Sequence, residues 1–230
     1  MEPTKVRLGF VLTLIVVLTP SACLGQEYLP LSFGSSWHYE GDQGAQERQT
    51  VVGTIDVWGM STRVIQFTES TQNSGLKNYW TTEPDRDVLL WGFNRKGFGF
   101  LYNPPIRVLD APLFIGKTWS TTVQIFSVPD TVLVGTFPFA FTVYEAGIIN
   151  VPAGSFSAFG IGPTAPLPLT GYSLSGEVAR AEAQGSADVW YSEGVGRVRY
   201  IADQRYDLES YGQPTPVLSA TWGSIKRQFR

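Results

Sequence analysis

Few side chains in this sequence are of the types that do chemistry, and their spacing narrows what they could do. His38 is the only histidine. A Ser-His-Asp triad needs a near-neutral base beside the hydroxyl, so it would have to use His38. The nearest approach to a nucleophile elbow, Gly171-Tyr172-Ser173-Leu174-Ser175, lacks the closing glycine. His38 stands between Trp37 and Tyr39 and reads as a strand histidine with its hydrogen bonds satisfied. Zinc needs several His and Cys ligands, and no cysteine follows Cys23. Glu83, Asp85 and Asp87 offer oxygens of the kind calcium takes, but Pro84 marks an ordinary exposed turn. Asp203, Asp207 and Glu209 could contain the carboxylate pair of a glycosidase. Asp207 and Glu209 alternate with Leu208, however, as a solvated strand face does. These residues predict no catalytic site, no metal site and no cofactor.

Seven Trp and ten Tyr raise a different possibility, stacking on sugar rings. Trp37, Trp119 and Trp190 recur in repeat-like positions and read as core. Trp58, Trp91 and Trp222 lie near turns or the chain end and read as exposed.

Cys23 carries the clearest chemistry. Lys5 and Arg7 precede an apolar run over 8–18 that holds no acid or base. That run is shorter than the ~20 residues needed to cross a bilayer but suits the core of an export signal. Residues 1–25 are therefore expected to be a signal peptide. Thr19-Pro20-Ser21-Ala22-Cys23 has small residues before a lone Cys, as in a bacterial lipobox, although Pro20 stands where Leu is usual. The first expectation is cleavage at Cys23 with acylation of its thiol. The alternative is ordinary cleavage after Gly25. A lipidated chain would bind its membrane through the acyl chains.

The remaining composition excludes other partners. The chain is 43% apolar and 16% charged, with a net charge of −3 and a pI near 5.2. Removing Glu2, Lys5 and Arg7 with the leader shifts the balance to −4. Phosphate backbones need a cluster of Lys and Arg. Only the short tail Lys226, Arg227 and Arg230 offers one, so nucleic acid is not expected.

The elements that would position any site read as strand after strand. Pro30-Leu31-Ser32-Phe33-Gly34-Ser35-Ser36-Trp37 and Pro112-Leu113-Phe114-Ile115-Gly116-Lys117-Thr118-Trp119 share P-L-x-x-G-x-x-W at a spacing of 82. Val52-Gly53-Thr54 and Val134-Gly135-Thr136 repeat at the same spacing. We read an internal duplication, with half-units at 26–105 and 106–230 packed as one domain. Strand signals cover 36–41, 49–58, 62–68, 76–82, 87–93, 98–102, 119–126, 131–144, 148–151, 155–161, 188–192, 197–202 and 204–211. A further strand is expected at 217–222. Asn103-Pro104-Pro105 should break the chain at the border between the halves. The segment 162–185 reads as a long loop with a helical turn at 177–183. No sustained helical periodicity appears, and short turns imply antiparallel pairing. So many strands make one flat sheet unfavourable. An all-β fold follows: a strongly curved antiparallel sheet, a partly open barrel or a sandwich.

Four groups of residues then resemble a known family. They are Tyr28-Leu29-Pro30-Leu31 with Gly34, Trp37 and Tyr39; Pro112-Leu113 with Gly116 and Trp119; Asn150-Val151-Pro152-Ala153-Gly154-Ser155-Phe156; and Trp190 to Val198. In this order they resemble exported bacterial β-rich proteins, many of them lipoproteins, that carry no assigned catalytic residue. The resemblance implies an antiparallel β fold in the cell envelope, as an outer-membrane or periplasm-facing lipoprotein or otherwise a secreted protein. The expected function is non-catalytic. The leading reading is an anchored module that binds a hydrophobic ligand or an envelope protein on its curved sheet. The alternatives are a glycan-binding module using exposed aromatics and, last, a carboxylate hydrolase.

Overall fold

A computed structural model describes residues 27–69, 74–164, 188–202 and 204–212. The strands are β1 (Ser36–Gly41), β2 (Gln46–Val57), β3 (Met60–Thr68), β4 (Leu76–Thr82), β5 (Val88–Arg95), β6 (Phe98–Leu109), β7 (Thr118–Val128), β8 (Leu133–Val151), β9 (Gly154–Pro163), β10 (Val189–Ser192), β11 (Gly196–Ile201) and β12 (Arg205–Gly212). Each pairs antiparallel with the next, and β12 returns to β1. The sheet is a closed barrel rather than a partly open one. Closure leaves no terminal strand edge. Signal peptide, Cys23, the helical turn at 177–183 and the strand at 217–222 all lie outside the described residues.

The wall is filled by inward side chains at period two. Trp37, Val51, Ile65, Leu76, Val88, Leu109, Ile125, Val143, Val198 and Leu208 are nearly inaccessible, and they come from ten of the twelve strands. A second, smaller cluster of Val57, Val64, Tyr79 and Trp91 lies on the outer face. Val64, Tyr79 and Trp91 sit next in sequence to inward Ile65, Trp80 and Leu90, and neighbouring strand residues point to opposite faces. Trp91 is thus buried, against expectation, and donates from Nε1 to Thr81 Oγ1 at 2.9 Å.

Asn103-Pro104-Pro105 does not break the chain. β6 runs through it. The ladder to β7 ends at Asn103, and the ladder to β5 skips from Leu101 to Ile106. Pro104 and Pro105 therefore stand where no partner requires their missing N–H. The two strand signals at 131–144 and 148–151 likewise belong to one strand, β8. Gly162 and Pro163 belong to β9, so the long segment starts later than residue 162.

The duplicated motif builds one turn twice. Gly34 and Gly116 have φ of 87° and 85°, the left-handed region that favours glycine. Ser35 N donates to Ser32 O, and Lys117 N to Phe114 O. Gly34 N reaches Val51 O, and Gly116 N reaches Val143 O. Leu31 and Leu113 fill the core. Each Trp ties its strand to a backbone carbonyl beyond the ladder: Trp37 Nε1 to Val195 O at 2.6 Å and Trp119 Nε1 to Arg107 O at 2.8 Å. The correspondence also corrects the sequence reading. Val51 matches Val143, 92 residues on, so the Val-Gly-Thr match at 82 is not a structural one.

Candidate functional site

Three places in the barrel collect polar or exposed apolar groups. The first is inside. Glu47, Gln49 and Val51 alternate along β2 and all point inward, so a carboxylate and an amide enter an otherwise apolar wall. A register shift between β10 and β11 leaves Val198 opposite no single residue. Such a bulge re-aims side chains, and here it brings Arg197 inward as well as Val198. Arg197 Nη2 donates to Gln49 Oε1 at 2.5 Å, and Gln49 Nε2 donates to Glu47 Oε1 at 2.5 Å. Tyr200 OH donates to the same Glu47 oxygen at 2.7 Å, and Tyr39 OH to Arg197 O at 3.1 Å. The guanidinium lies 5.3 Å from the Tyr200 ring centroid, and Tyr200 stacks on Tyr206 at 4.8 Å.

Burial sets the electrostatics of this cluster. It pushes the Tyr39 phenol well above the usual tyrosine range, with Arg197 opposing and Glu47 adding. It pushes Tyr200 up too, reinforced by the adjacent Glu47 charge. Burial works against the Arg197 charge, but Tyr39, Tyr191, Tyr200 and Glu47 outweigh it and hold the guanidinium cationic. Every group in the set points at another member. The arrangement links a guanidinium to a carboxylate through Gln49 and packs three rings around them. Nothing in the sequence reading pointed to it, although the period-two spacing of Glu47, Gln49 and Val51 carried the signal.

The second and third places are the two ends of the barrel. Odd and even strands run oppositely, so residues 27–35 and the β2–β3, β4–β5, β6–β7, β8–β9 and β10–β11 turns share one end, here the near end. The chain enters there, with Tyr28, Leu29 and Leu31 buried and Glu27 O accepting from Gly194 N. Phe33, Phe114 and Ile115 on the motif turns stay exposed. At the far end the β5–β6 and β7–β8 turns adjoin, since Gly99 pairs with Val128. They expose Phe98, Val132 and Leu133, and Lys96 beside them is also exposed.

The sequence candidates scatter. His38 Nδ1 lies 3.1 Å from Glu209 Oε2, and Nε2 lies 3.8 Å from Glu69 Oε2. Neither Nε2 nor Glu209 Oε2 makes a hydrogen bond among the described residues, so the approach to Glu209 is a charge contact and the histidine is not satisfied as expected. Asp207 is held by Arg199 at 2.5 Å and Arg205 at 3.3 Å. Asp87 is buried rather than exposed; it accepts from Ala111 N at 2.7 Å and pairs with Arg107 at 3.2 Å. Its carboxyl is pushed above the usual range by burial, with the Ala111 hydrogen bond and Arg107 opposing. Among the described residues no group of three acidic, His or Cys side chains could hold a metal ion. Asp203, Trp222 and Gly171 to Ser175 lie outside the described residues.

Trp37, Trp119 and Trp190 are core, as expected, and Trp58 is exposed. The exposed Trp and Tyr rings do not form a flat platform. Trp58 meets Phe126 at 63°, Tyr144 meets Trp190 at 84°, and Tyr211 meets Phe156 at 71°. Buried Trp190 and half-exposed Tyr144 lie over Gly160, where a Cβ would come within 3.0 Å of both. Burial and then the Asp188 charge raise the Tyr144 phenol.

Comparison with known proteins adds little. No protein-family model and no curated protein matches the chain. Among solved structures, a candidate exported protein with a YmcC-like fold from Bacteroides fragilis NCTC 9343 is similar over 82% of this chain and 100% of its own. Its identity is 11% and the TM-score 0.43. A candidate lipoprotein from Parabacteroides distasonis ATCC 8503 is similar over 82% of this chain and 99% of its own, at 15% identity and a TM-score of 0.34. Likeness at this level carries no argument about function.

Proposed function

We propose that this chain is a non-catalytic cell-envelope protein, anchored by acyl chains on Cys23, that presents the far end of its barrel to an envelope protein. The observation that carries the partner reading is the apolar tip of Phe98, Val132 and Leu133, which are 69%, 59% and 50% exposed on adjoining turns. Single exposed apolar side chains are ordinary on a protein surface, but a contiguous group points to a contact site. The filled interior argues against the enclosed-ligand version. One inward residue from each of ten strands is nearly inaccessible even to water, which leaves little room for a lipid chain beside them. The edge-on ring pairs argue against a glycan platform.

The test is photocrosslinking in the protein's own bacterium. A benzophenone side chain is placed at Phe98 or Val132, and at Ile148, exposed on the outer wall, as the reference. One adduct of the same mass is expected from both tip positions, absent from position 148 and lost when Leu133→Asp is added. Adducts of equal intensity from all three positions, or none from the tip, would sink the reading.

A further inference from the structure

We infer that the two copies of the P-L-x-x-G-x-x-W turn form a pair of feet on which the barrel rests against the lipid surface. This rests on the anchored reading above and deepens it. The geometry begins with chain length. Glu27 is fixed at the near end through its bond from Gly194 N. Only Leu24, Gly25 and Gln26 separate it from Cys23. Four residue steps span at most ~14 Å, so acyl chains on Cys23 hold the near end close to the headgroups and point the far end away.

The near end also carries the right side chains. Phe33 and Ile115 occupy the same position of the repeated turn and are 67% and 62% exposed. Phe114 beside Ile115 is 57% exposed. The two turns precede β1 and β7, which lie half a barrel circumference apart. Two apolar contacts on opposite sides of the anchor end resist tipping, which attachment at a single point does not. A folded interior has already taken Leu31 and Leu113 from the same turns, so the outward apolar residues are an addition to what the turn needs.

Charge selects the kind of lipid. In the near-end turns the cations are already matched: Arg86 Nη1 lies 2.6 Å from Glu193 Oε1, and Lys117 Nζ lies 3.0 Å from Asp110 Oδ2. Glu27, Asp56, Glu83 and Asp85 add negative charge there. Anionic lipid attracts unmatched Lys and Arg, and this end supplies none among its described turns. The contact is therefore with zwitterionic headgroups through apolar side chains.

The experiment uses the full chain purified from its own membranes, with Phe33→Cys or Ile115→Cys carrying a nitroxide, and Val132→Cys as the far-end reference. Acylation leaves Cys23 without a thiol to label. Intact mass first establishes whether Cys23 is acylated. The protein is placed in vesicles of phosphatidylethanolamine and phosphatidylcholine, and the collision of each label with oxygen and with a water-soluble nickel chelate is measured. We expect the oxygen-to-nickel ratio at positions 33 and 115 to exceed that at 132 severalfold, and not to rise when phosphatidylglycerol is added. An acylated chain whose three labels are equally water-exposed would overturn the feet and leave the anchor standing. If mass shows no acyl group, the anchored reading falls. The same labels on the chain mixed with vesicles then decide the feet alone: a raised ratio at 33 and 115 supports them, and equal ratios overturn them.

Discussion

Removing the Arg197 guanidinium tests whether the buried network is one energetic unit. In Arg197→Met the chain keeps a side chain of similar length inside the barrel but loses the bond to Gln49 at 2.5 Å and the contact over Tyr200 at 5.3 Å. Hydrogen bonds to charged groups contribute about 1.5–3 kcal/mol, and a cation over a ring about 0.5–2 kcal/mol. The larger effect is what remains. Glu47 is fully buried and would keep its charge beside Gln49 and Tyr200 with the guanidinium gone. Breaking a direct buried charge pair from one side costs about 3–5 kcal/mol, and here Gln49 stands between the two charges. Arg197 is only partly buried, which favours the lower figure. We expect a loss of ~3 kcal/mol, which at an m-value of ~2 kcal/mol per M is a fall of ~1.5 M in the urea midpoint. Glu47→Gln removes the stranded charge while keeping an oxygen for Tyr200. The double variant should therefore regain ~1–2 kcal/mol over Arg197→Met alone, a coupling of the size that contacting residues show. Urea unfolding followed by tryptophan fluorescence and by far-ultraviolet circular dichroism measures all four corners of the cycle. A loss under ~1 kcal/mol for Arg197→Met, with no recovery from Glu47→Gln, would refute the reasoning.

Two further outcomes follow from the same structure. Gly34→Ala and Gly116→Ala should each cost roughly 1–2 kcal/mol, because both place a Cβ on a left-handed residue. Thermal unfolding that separates the two variants widely would show that the turns are not equivalent. Tyr39 and Tyr200 are held protonated above the pH near 10 at which unfolded tyrosine ionises. Their folded pKa is raised, so stability is intact below pH ~10 and declines as pH rises past it. Tyrosinate absorbance at these two residues should appear only with loss of the strand signal, and Tyr39→Phe or Tyr200→Phe should flatten the alkaline decline. Their reversible ionisation in the folded protein would contradict this.

Much of the wall was legible because strands announce themselves through side-chain alternation and turn residues. The edges of β1 and β4 fall where alternation places them, and Trp37, Trp119 and Trp190 are core as their positions suggested. What was hidden were the places where the alternation slips. Trp91 looked exposed beside its turn, yet the register shift around it places it in the outer cluster. Arg197 passed unremarked in the sequence, and the bulge at Val198 turns it inward. A bulge inserts one residue without requiring a particular type, so residue identities do not mark it. The two prolines after Asn103 misled for the converse reason. They forbid a ladder bond, and the barrel has a gap in the ladder at that point.

If the chain is read as two half-units, the spacing between corresponding residues locates the differences between them, and this bears on the proposed roles of the two ends. It is 82 at the motif turns, 92 between Val51 and Val143, 96 between Val64 and Gly160, and 111 between Tyr79 and Trp190. The shifts in register recur in step: after Val51 and Val143, and after Tyr79 and Trp190. The walls therefore match while the connections lengthen. The step from 82 to 92 falls in the β7–β8 hairpin and the step from 96 to 111 between β9 and β10, both far-end connections. Only the small step from 92 to 96 belongs to the near end, in the β8–β9 hairpin. Resting on a lipid surface asks for two similar supports, because a bilayer looks the same under each of them. Recognising one partner asks for a surface unlike any other. The near end keeps its repeated turns almost alike, and the far end carries nearly all the added length, which is the pattern the two proposals above call for: one end resting on lipid and the other recognising a partner.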